Sequence, residues 1–240
     1  MYVLGIETSG EQGGFAVVND GKVVCEIIAN MHGAHVEKGS TLIEDSLKMA
    51  SITVGDLDGV AVSLGPGSFT GLRVGLALAK GLCFGTGARL LGVPSLDAIA
   101  EMLRMWQGLV VPMRDARRGE VYFSVYRSDG AAIERLTDYM ALPPESAGSM
   151  IGDLSQDATI LVAGDAIARY GELLRKEFGD RLVFAQPTYW MPKPAIVAEL
   201  GLRMLKAGSW LKVDEAEPLY VRPSEAERNR QRHKSWQDSR

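Results

Sequence analysis

A glycine-rich turn followed by an unusually apolar helix constrains this sequence more than any other stretch. Residues 60–64 are mostly apolar, as in a buried strand. Gly65, Pro66 and Gly67 then break the strand, because proline fixes φ and glycine accepts positive φ values. Ser68 follows as a good N-cap residue. The pattern predicts a strand, a tight turn and a helix over residues 70–85.

The predicted helix is apolar on nearly every side. Gly71, Gly75, Ala79 and Cys83 recur every four residues and therefore share one face. A helix of this kind is buried on more than one side. Each interior glycine costs roughly 1 kcal/mol of helix stability relative to alanine, so close packing should offset that cost. The small residues could pack against a sheet of their own domain or against a partner chain, and the sequence leaves both open.

Composition narrows the classes of protein to which the chain can belong. Its 240 residues carry a formal net charge of −4, which excludes a surface that is wholly a nucleic-acid or membrane footprint. Two isolated cysteines indicate neither a disulfide framework nor a clustered metal site. The N-terminus has no signal-peptide pattern, and no apolar run approaches the ~20 residues that span a bilayer. We therefore expect a cytoplasmic protein with no membrane contact.

The order of predicted elements repeats once along the chain. Strands at 2–7, 15–18 and 22–29 precede a helix at 35–51, and alternating strands and helices continue to residue 106. Near residue 109 a second three-strand meander begins, with strands at 109–113, 120–126 and 131–139. This order predicts an α/β protein with two similar subdomains of mixed sheet flanked by helices. Their predicted limits are residues 1–107 and 108–223.

Thr8, Ser9 and Gly10 follow the first predicted strand and form a candidate phosphate-binding turn. Hydroxyls and free backbone N–H groups in a tight turn can bind phosphate. The same residues also make an ordinary hairpin turn. A second turn of this kind, at Gly164 and Asp165, has one glycine instead of a pair.

Other catalytic motifs do not fit. The glycines of the 65–71 turn have neither the dinucleotide nor the P-loop spacing, and Ser68 lacks the first glycine of a nucleophile elbow. His32, His35 and Glu37 could be drawn as metal ligands, but neither a third nearby histidine nor a cysteine cluster supports them. We expect no metal site and no catalytic residue.

Residues 224–240 form a basic tail with almost no apolar side chains. Such a composition is typical of a solvated or disordered terminus. The alternative is a cationic arm that touches RNA or an acidic partner.

The sequence resembles the TsaB family, whose older name is YeaZ. Residues 63–73, read as SLGPGSFTGLR, closely match that family's hallmark. Supporting matches span residues 3–222 and are Ile6-Glu7-Thr8-Ser9, His35-x-Glu37, Val93-Pro94-Ser95-Leu96-Asp97, Asp115-Ala116-Arg117, Glu120-Val121-Tyr122, and Pro218-Leu219-Tyr220 with Arg222. The sequence departs from the pattern at Glu7, where many members have Asp.

The resemblance implies an actin-like fold of two subdomains and a noncatalytic role. TsaB-like proteins pair with the paralogue TsaD, which transfers a threonylcarbamoyl group to the adenosine next to the tRNA anticodon, and the ATPase TsaE joins them. TsaD carries an H-x-x-x-H metal pair, whereas residues 95–106 here contain no histidine. The family thus implies indirect contact with tRNA, a homodimer when the chain is alone, no required cofactor, and ATP or ADP as a candidate ligand at or near the partner interface.

We expect the predicted helices at 35–51 and 70–85 to dock the paralogue. The interface residues expected on them are His35, Leu42, Gly71, Leu72, Gly75, Leu76, Ala79 and Lys80. The alternative function is an ATP-dependent kinase of the actin-like superfamily, with Glu7 and Asp165 as its carboxylates. A third possibility, a peptidase, has neither a zinc motif nor a nucleophile–base pair in the sequence.

Overall fold

A computed structural model of the protein describes residues 1–30 and 35–221, and for residues 35–37 it describes the backbone only. The chain forms two mixed sheets with helices packed against them. The strands are β1 (Tyr2–Glu7), β2 (Gln12–Asn19), β3 (Lys22–Asn30), β4 (Leu57–Gly65), β5 (Arg89–Pro94), β6 (Gln107–Arg117), β7 (Glu120–Phe123), β8 (Tyr126–Asp129), β9 (Ile133–Arg135), β10 (Met140–Leu142), β11 (Ile160–Ala163) and β12 (Leu182–Phe184). The helices are α1 (His35–Met49), α2 (Phe69–Thr86), α3 (Ser95–Met102), α4 (Pro144–Ser155), α5 (Ile167–Phe178) and α6 (Pro194–Lys206).

The first sheet has the strand order β3-β2-β1-β4-β5. The β1–β2–β3 meander is antiparallel, and β4 and β5 then add in parallel beside β1. The parallel pairs require crossovers, which α1 and α2 supply. The carboxyl ends of β1 and β4 therefore meet at one edge, where the Thr8 and Gly65 turns lie side by side.

The second sheet repeats this order, which confirms the predicted duplication. β7 and β8 are two pieces of one interrupted strand, and both pair with β6 in antiparallel fashion. The next strand is also in two pieces, since β10 pairs with β7 and β9 pairs with β8. On the other side of β6, β11 pairs in parallel with β6, and β12 pairs in parallel with β11. The predicted strand at 120–126 is interrupted at Ser124 and Val125, where the Val125 N–H donates to the Thr137 hydroxyl and the Ser124 hydroxyl donates to the Thr137 carbonyl. The predicted strand at 131–139 is likewise reduced to Ile133–Arg135, with β10 following.

Helices cover both faces of the first sheet. Leu4, Ile6, Val60 and Val62 point into a core shared with α1 and α2. The alternate residues Val3, Ala61 and Leu91 meet α6 and α3 on the opposite face, as the two-residue period of strands requires.

The placement of α6 corrects the predicted subdomain limits. We assigned residues 108–223 to the second subdomain, but α6 packs on β1, β2 and β4 of the first sheet. The segment after α6 also returns there: Leu211 bridges to Leu90, and the Leu219 N–H donates to the Leu64 carbonyl at 2.8 Å. Local sequence patterns did not predict the return of α6 to the first sheet, because its apolar face packs on strands far earlier in the chain, including β1. No helix within the described ranges has both the length and the apolar character needed to cross a membrane.

Candidate functional site

The turn after β1 lies where the sequence predicted phosphate binding, and several of its polar groups form hydrogen bonds within the chain. The Ser9 N–H donates to Glu7 Oε1 at 2.6 Å, and the Thr8 hydroxyl donates to the Gly71 carbonyl at 2.8 Å. The Ser9 carbonyl accepts the Ser68 N–H at 2.7 Å. The Ser63 hydroxyl donates to the other Glu7 oxygen.

Arg114 of β6 closes the same turn from the second subdomain. Its side chain is buried, and its guanidinium donates from Nη1 to Ser9 Oγ at 2.7 Å and to the Pro66 carbonyl at 3.0 Å. Nη2 donates to the Ser9 carbonyl at 3.0 Å. One cation therefore ties the β1 turn, the Gly-Pro-Gly turn and the second sheet together.

Other parts of the chain pack closely against this turn. Gly67 and Gly71 lie so close to it that a Cβ on either would come within 3.0 Å of a Ser9 or Thr8 carbonyl oxygen. Met191 abuts Gly10 in the same way. The predicted nucleotide role of Thr8, Ser9 and Gly10 stays a prediction, and the Thr8 hydroxyl and the Ser9 N–H are two donors of this turn that already bond protein atoms.

Burial controls the charge state of Glu7. The side chain is fully buried, and desolvation raises the pKa of its carboxyl above the ordinary value. Hydrogen bonds from Ser63 and Ser9 and the charge of Arg114 act in the opposite direction without cancelling it. A carboxyl sealed in this way is a structural acceptor and has no open face toward a substrate.

The second candidate turn is also packed. Gly164 lies against the Met113 backbone, with a built Cβ less than 3.0 Å from it. Asp165 accepts the Asp115 N–H at 2.9 Å and lies 3.9 Å from Arg114 Nη2. Asp165 thus holds β6 and β11 in register beside the buried arginine.

The predicted interface stripe of α2 lies inside the chain, which corrects five of the expected interface residues. The stripe packs on the end of β1: a Cβ on Gly75 would meet the Thr8 hydroxyl. These side chains cannot form a surface that a partner touches, since they are buried by their own subdomain. The five residues are Gly71, Leu72, Gly75, Leu76 and Ala79.

The exposed stripe of α2 lies on the other side of the helix. It contains Ala77, Gly81 and Phe84, and the Phe84 side chain is 73% exposed. A Cβ on Gly81 would meet nothing within 4 Å. We call these three residues the α2 outer stripe.

The remaining expected interface residues have mixed placements. Leu42 of α1 is half-buried and packs against the first core. Lys80 is half-buried, and its Nζ lies 3.4 Å from the Asp214 carbonyl. The His35 and Glu37 side chains, His32 and Arg222 fall outside the described residues. Among the residues that are described, no three His, Cys, Asp or Glu side chains come together as metal ligands do.

Sequence reasoning missed Arg114 and the α2 outer stripe. Arg114 had a usable signal, because it follows four apolar residues at 110–113 in a strand buried on both faces, where a charge needs fixed partners. The outer stripe had a weaker one. Both helix faces carry small residues, and only the packing against Thr8 distinguishes the inner face.

Comparison with known proteins identifies the family. The family model described as "TsaD: tRNA N6-adenosine threonylcarbamoyltransferase" matches residues 22–227. The tRNA threonylcarbamoyladenosine biosynthesis protein TsaB of Escherichia coli K12 is 30% identical over 231 residues, covering 92% of this chain and 95% of that protein. The chain belongs to the TsaB family. The TsaD family model therefore detects a TsaB-family chain, as expected for paralogues.

Solved structures support the fold of this TsaB-family chain. YeaZ from Pseudomonas aeruginosa superposes with a TM-score of 0.78 at 23% identity, covering 91% of this chain and 99% of that one. The ROK hexokinase from Thermus thermophilus gives a TM-score of 0.51 at 11% identity, covering 87% and 100%. At these identities the likeness concerns the fold alone, which is the actin-like ATPase fold that the sequence predicted.

Proposed function

We propose that this TsaB-family chain is a noncatalytic subunit for threonylcarbamoyladenosine synthesis in tRNA. It docks a TsaD-type paralogue and supports that enzyme in transferring the threonylcarbamoyl group to the adenosine next to the anticodon. The name of the E. coli relative supports a role in threonylcarbamoyladenosine biosynthesis. The match to the TsaD family model supports a paralogue as the partner.

The observation that carries the noncatalytic role is the closure of the β1 turn by Arg114. An actin-like phosphotransferase needs free N–H groups and space at this turn. Here Arg114 makes three hydrogen bonds to Ser9 and Pro66, and the Ser9 N–H bonds Glu7. The kinase alternative also needs a reactive carboxylate, whereas both Glu7 oxygens accept buried hydrogen bonds.

The α2 outer stripe is the proposed docking surface, with Leu42 and Lys80 at its sides. Ala77 and Gly81 leave the helix backbone open to close approach, and Phe84 offers a large exposed apolar side chain beside them. An exposed aromatic residue next to small residues fits the anchor-and-groove character of protein interfaces. We propose that the same surface forms a homodimer when the paralogue is absent.

The proposal extends to nucleotide, which we place away from the closed turn. We propose that the chain requires no cofactor, and that any ATP or ADP of the assembly binds at or near the interface with the paralogue. The TsaE ATPase then joins the pair and not the isolated chain.

The decisive experiment mixes the purified chain with TsaD from the same organism. We expect a stable complex by size exclusion, and threonylcarbamoyl transfer to tRNA that depends on adding this chain. Phe84→Ser should weaken the complex at least tenfold. Met105→Ser is the matched control, because Met105 is 76% exposed but lies outside α1 and α2. Robust ATP turnover by the chain alone would contradict the noncatalytic role. Equal weakening of the complex by Phe84→Ser and Met105→Ser would show that the α2 outer stripe is not the docking surface.

A further inference from the structure

We propose that Arg73 of α2 binds a carboxylate side chain of the TsaD-type paralogue, and that this ion pair favours the paralogue over a second copy of this chain. The inference rests on the proposed docking function, and its experiment lets the two fail separately. We call Phe69, Arg73 and Tyr220 the arginine cluster, and all three side chains are exposed.

The arginine cluster continues the α2 outer stripe along the same helix. Phe69 and Arg73 precede Ala77 and Gly81 at four-residue intervals, so these four residues form one ridge of α2. All four are exposed, as is Phe84 at the far end of the outer stripe. A partner that packs along Ala77 and Gly81 therefore meets Arg73 one turn closer to the start of the helix.

Two aromatic residues hold the Arg73 guanidinium in place. Its carbon lies 3.7 Å from the centre of the Phe69 ring, and its Nε donates to the Tyr220 hydroxyl at 3.2 Å. The backbone beside Tyr220 is itself fixed, because the Leu219 N–H donates to the Leu64 carbonyl at 2.8 Å. One face of the guanidinium and its Nε are thus engaged, which leaves the edge with the two Nη groups for a partner.

The charge of Arg73 is not neutralised by the described part of the chain. Within residues 1–30 and 35–221, Arg73 forms no ion pair with Asp or Glu, and its Nη atoms donate no hydrogen bond. The predicted basic tail at 224–240 lies outside those ranges. The Nη groups of an arginine form a planar fork that matches the two oxygens of a carboxylate. The cluster therefore fits an acidic side chain on the docking partner.

The composition of α2 argues against a second copy as the source of that carboxylate. The helix contains Arg73 and Lys80 but no Asp or Glu. If two copies meet through their α2 outer stripes, each Arg73 faces a helix that carries only positive charge. An acidic residue on the paralogue gains a bidentate ion pair that two α2 helices cannot form, so Arg73 contributes to the choice of partner.

Calorimetric titration of the purified full chain with TsaD from the same organism tests the ion pair. Arg73→Gln should weaken the complex at least about tenfold, because it leaves the partner's carboxylate buried without its counter-charge. Arg73→Lys keeps the charge but has no planar fork, so its complex should remain at least about fivefold weaker than that of the wild type. The difference between wild type and Arg73→Gln should narrow as salt rises from about 50 mM to about 500 mM.

Arg175→Gln is the matched control for the arginine. Arg175 is also exposed and stacks on a phenylalanine, Phe184 at 4.9 Å, but it lies on α5 of the second subdomain. This variant should bind TsaD as the wild type does. Tyr220→Phe keeps the ring and removes the hydroxyl that positions Arg73, so it should weaken the complex about two- to tenfold.

Two measurements on the chain alone test other sources of the carboxylate. By sedimentation, Arg73→Gln should self-associate at least as strongly as the wild type, because it removes a positive charge that faces another basic helix. Self-association that weakens as much as TsaD binding would assign the carboxylate to a second copy and overturn the proposal. The melting temperature of Arg73→Gln should equal that of the wild type, and a clear fall would assign the carboxylate to this chain itself.

The remaining outcomes separate this inference from the docking function. Equal affinities of Arg73→Gln and Arg175→Gln for TsaD, with Phe84→Ser still weak, would overturn the inference and leave the docking surface in place. A wild-type chain that does not bind TsaD would overturn the docking function and this inference with it. An Arg73→Gln chain that binds TsaD normally but loses affinity for a labelled tRNA transcript would assign the fork to a phosphate instead.

Discussion

Gly75 of α2 lies directly over Thr8 at the end of β1, so close that a Cβ on Gly75 would come within 3.0 Å of the Thr8 hydroxyl oxygen. That hydroxyl is already committed to the Gly71 carbonyl at 2.8 Å. The small residues of α2 therefore let the helix pack directly against the end of β1. The closed arrangement of the β1 turn requires this close contact.

Two glycines of one helix provide a matched pair of variants. Gly75→Leu should destabilise the chain by at least ~3 kcal/mol, because overpacking at this contact also breaks the Thr8 hydrogen bond. Gly81→Leu should leave the monomer as stable as before or raise its stability by up to ~1 kcal/mol, since leucine is the better helix former and the site is open. Thermal and urea unfolding measure both.

The same pair separates the two faces of α2 in function. Gly81→Leu should stay folded yet lose binding to TsaD, since it adds bulk to the α2 outer stripe. A Gly75→Leu protein that keeps its stability but no longer binds TsaD would show that the buried face of α2 is an interface after all.

Arg114→Met tests the closure of the β1 turn. We expect a loss of at least ~3 kcal/mol in unfolding free energy, because Ser9 Oγ and the buried Pro66 carbonyl lose their donor and the Ser9 carbonyl keeps only the Ser68 N–H. Arg127→Gln, on the exposed side of β8, should change stability by no more than ~0.5 kcal/mol. Urea titrations of both variants provide the comparison, and a loss at Arg114 no larger than that of the control would contradict its role.

The sequence predicted the fold well because the repeated pattern of elements is local. Strand alternation and helix periodicity were sufficient to predict the meander and crossovers of both sheets. The register of the second meander was harder, because Thr137 competes for the backbone of Val125 across the turn. The return of α6 to the first sheet was not visible, since no local signal says which sheet an apolar helix face will meet.

The candidate site was predicted only in outline. The sequence drew attention to the turn after β1 and to α2, but it expected Gly75 at a partner interface, whereas Gly75 packs on Thr8. Packing between α2 and β1 is a long-range contact, and spacing along α2 cannot choose between its two small-residue faces. The role of Arg114 was not predicted, although a charged residue that follows a buried apolar run needs hydrogen-bond partners.

Glu7 should make stability depend on pH with an unusual sign. Burial raises the pKa of this carboxyl in the folded state above its ordinary 4.5, so the folded protein holds the proton more tightly than the unfolded chain does. Its contribution to stability is complete below pH 4.5 and is lost as pH rises through the folded pKa, with a limiting slope of about 1.4 kcal/mol per pH unit.

Comparison with Glu7→Gln isolates this effect. The unfolding free energy of the wild type, minus that of Glu7→Gln, should decrease between pH 4.5 and pH 8. Glu44→Gln is the control: a hydrogen bond from Lys48 lowers the pKa of Glu44, so its difference curve changes mainly below pH 4.5 and should stay nearly level between pH 4.5 and pH 8. Parallel curves for wild type and Glu7→Gln would show that the carboxyl does not titrate in this range.

Asp97 of α3 couples the two subdomains through two phenols. It accepts the Tyr126 hydroxyl at 2.5 Å and the Tyr139 hydroxyl at 2.8 Å, both from the second subdomain. Asp97→Asn should cost about 1.5–3 kcal/mol, since these hydrogen bonds are to a charged acceptor. A double-mutant cycle with Tyr139→Phe should give a coupling of at least ~1 kcal/mol, and additive losses would exclude a direct link. Asp138→Asn, at an exposed position near Tyr139, is the control.

The same cluster predicts loss of stability in alkali. Burial, and then the Asp97 charge, raise the pKa of both phenols above their ordinary value of 10. Since the folded protein keeps these protons longer than the unfolded chain, their contribution is complete below pH 10 and declines as pH rises further. Each phenol adds up to about 1.4 kcal/mol per pH unit to that decline. Urea unfolding between pH 9 and pH 11 should therefore show a shallower decline for Tyr139→Phe than for the wild type, and equal slopes would mean that Tyr139 ionises as readily in the fold as in the unfolded chain.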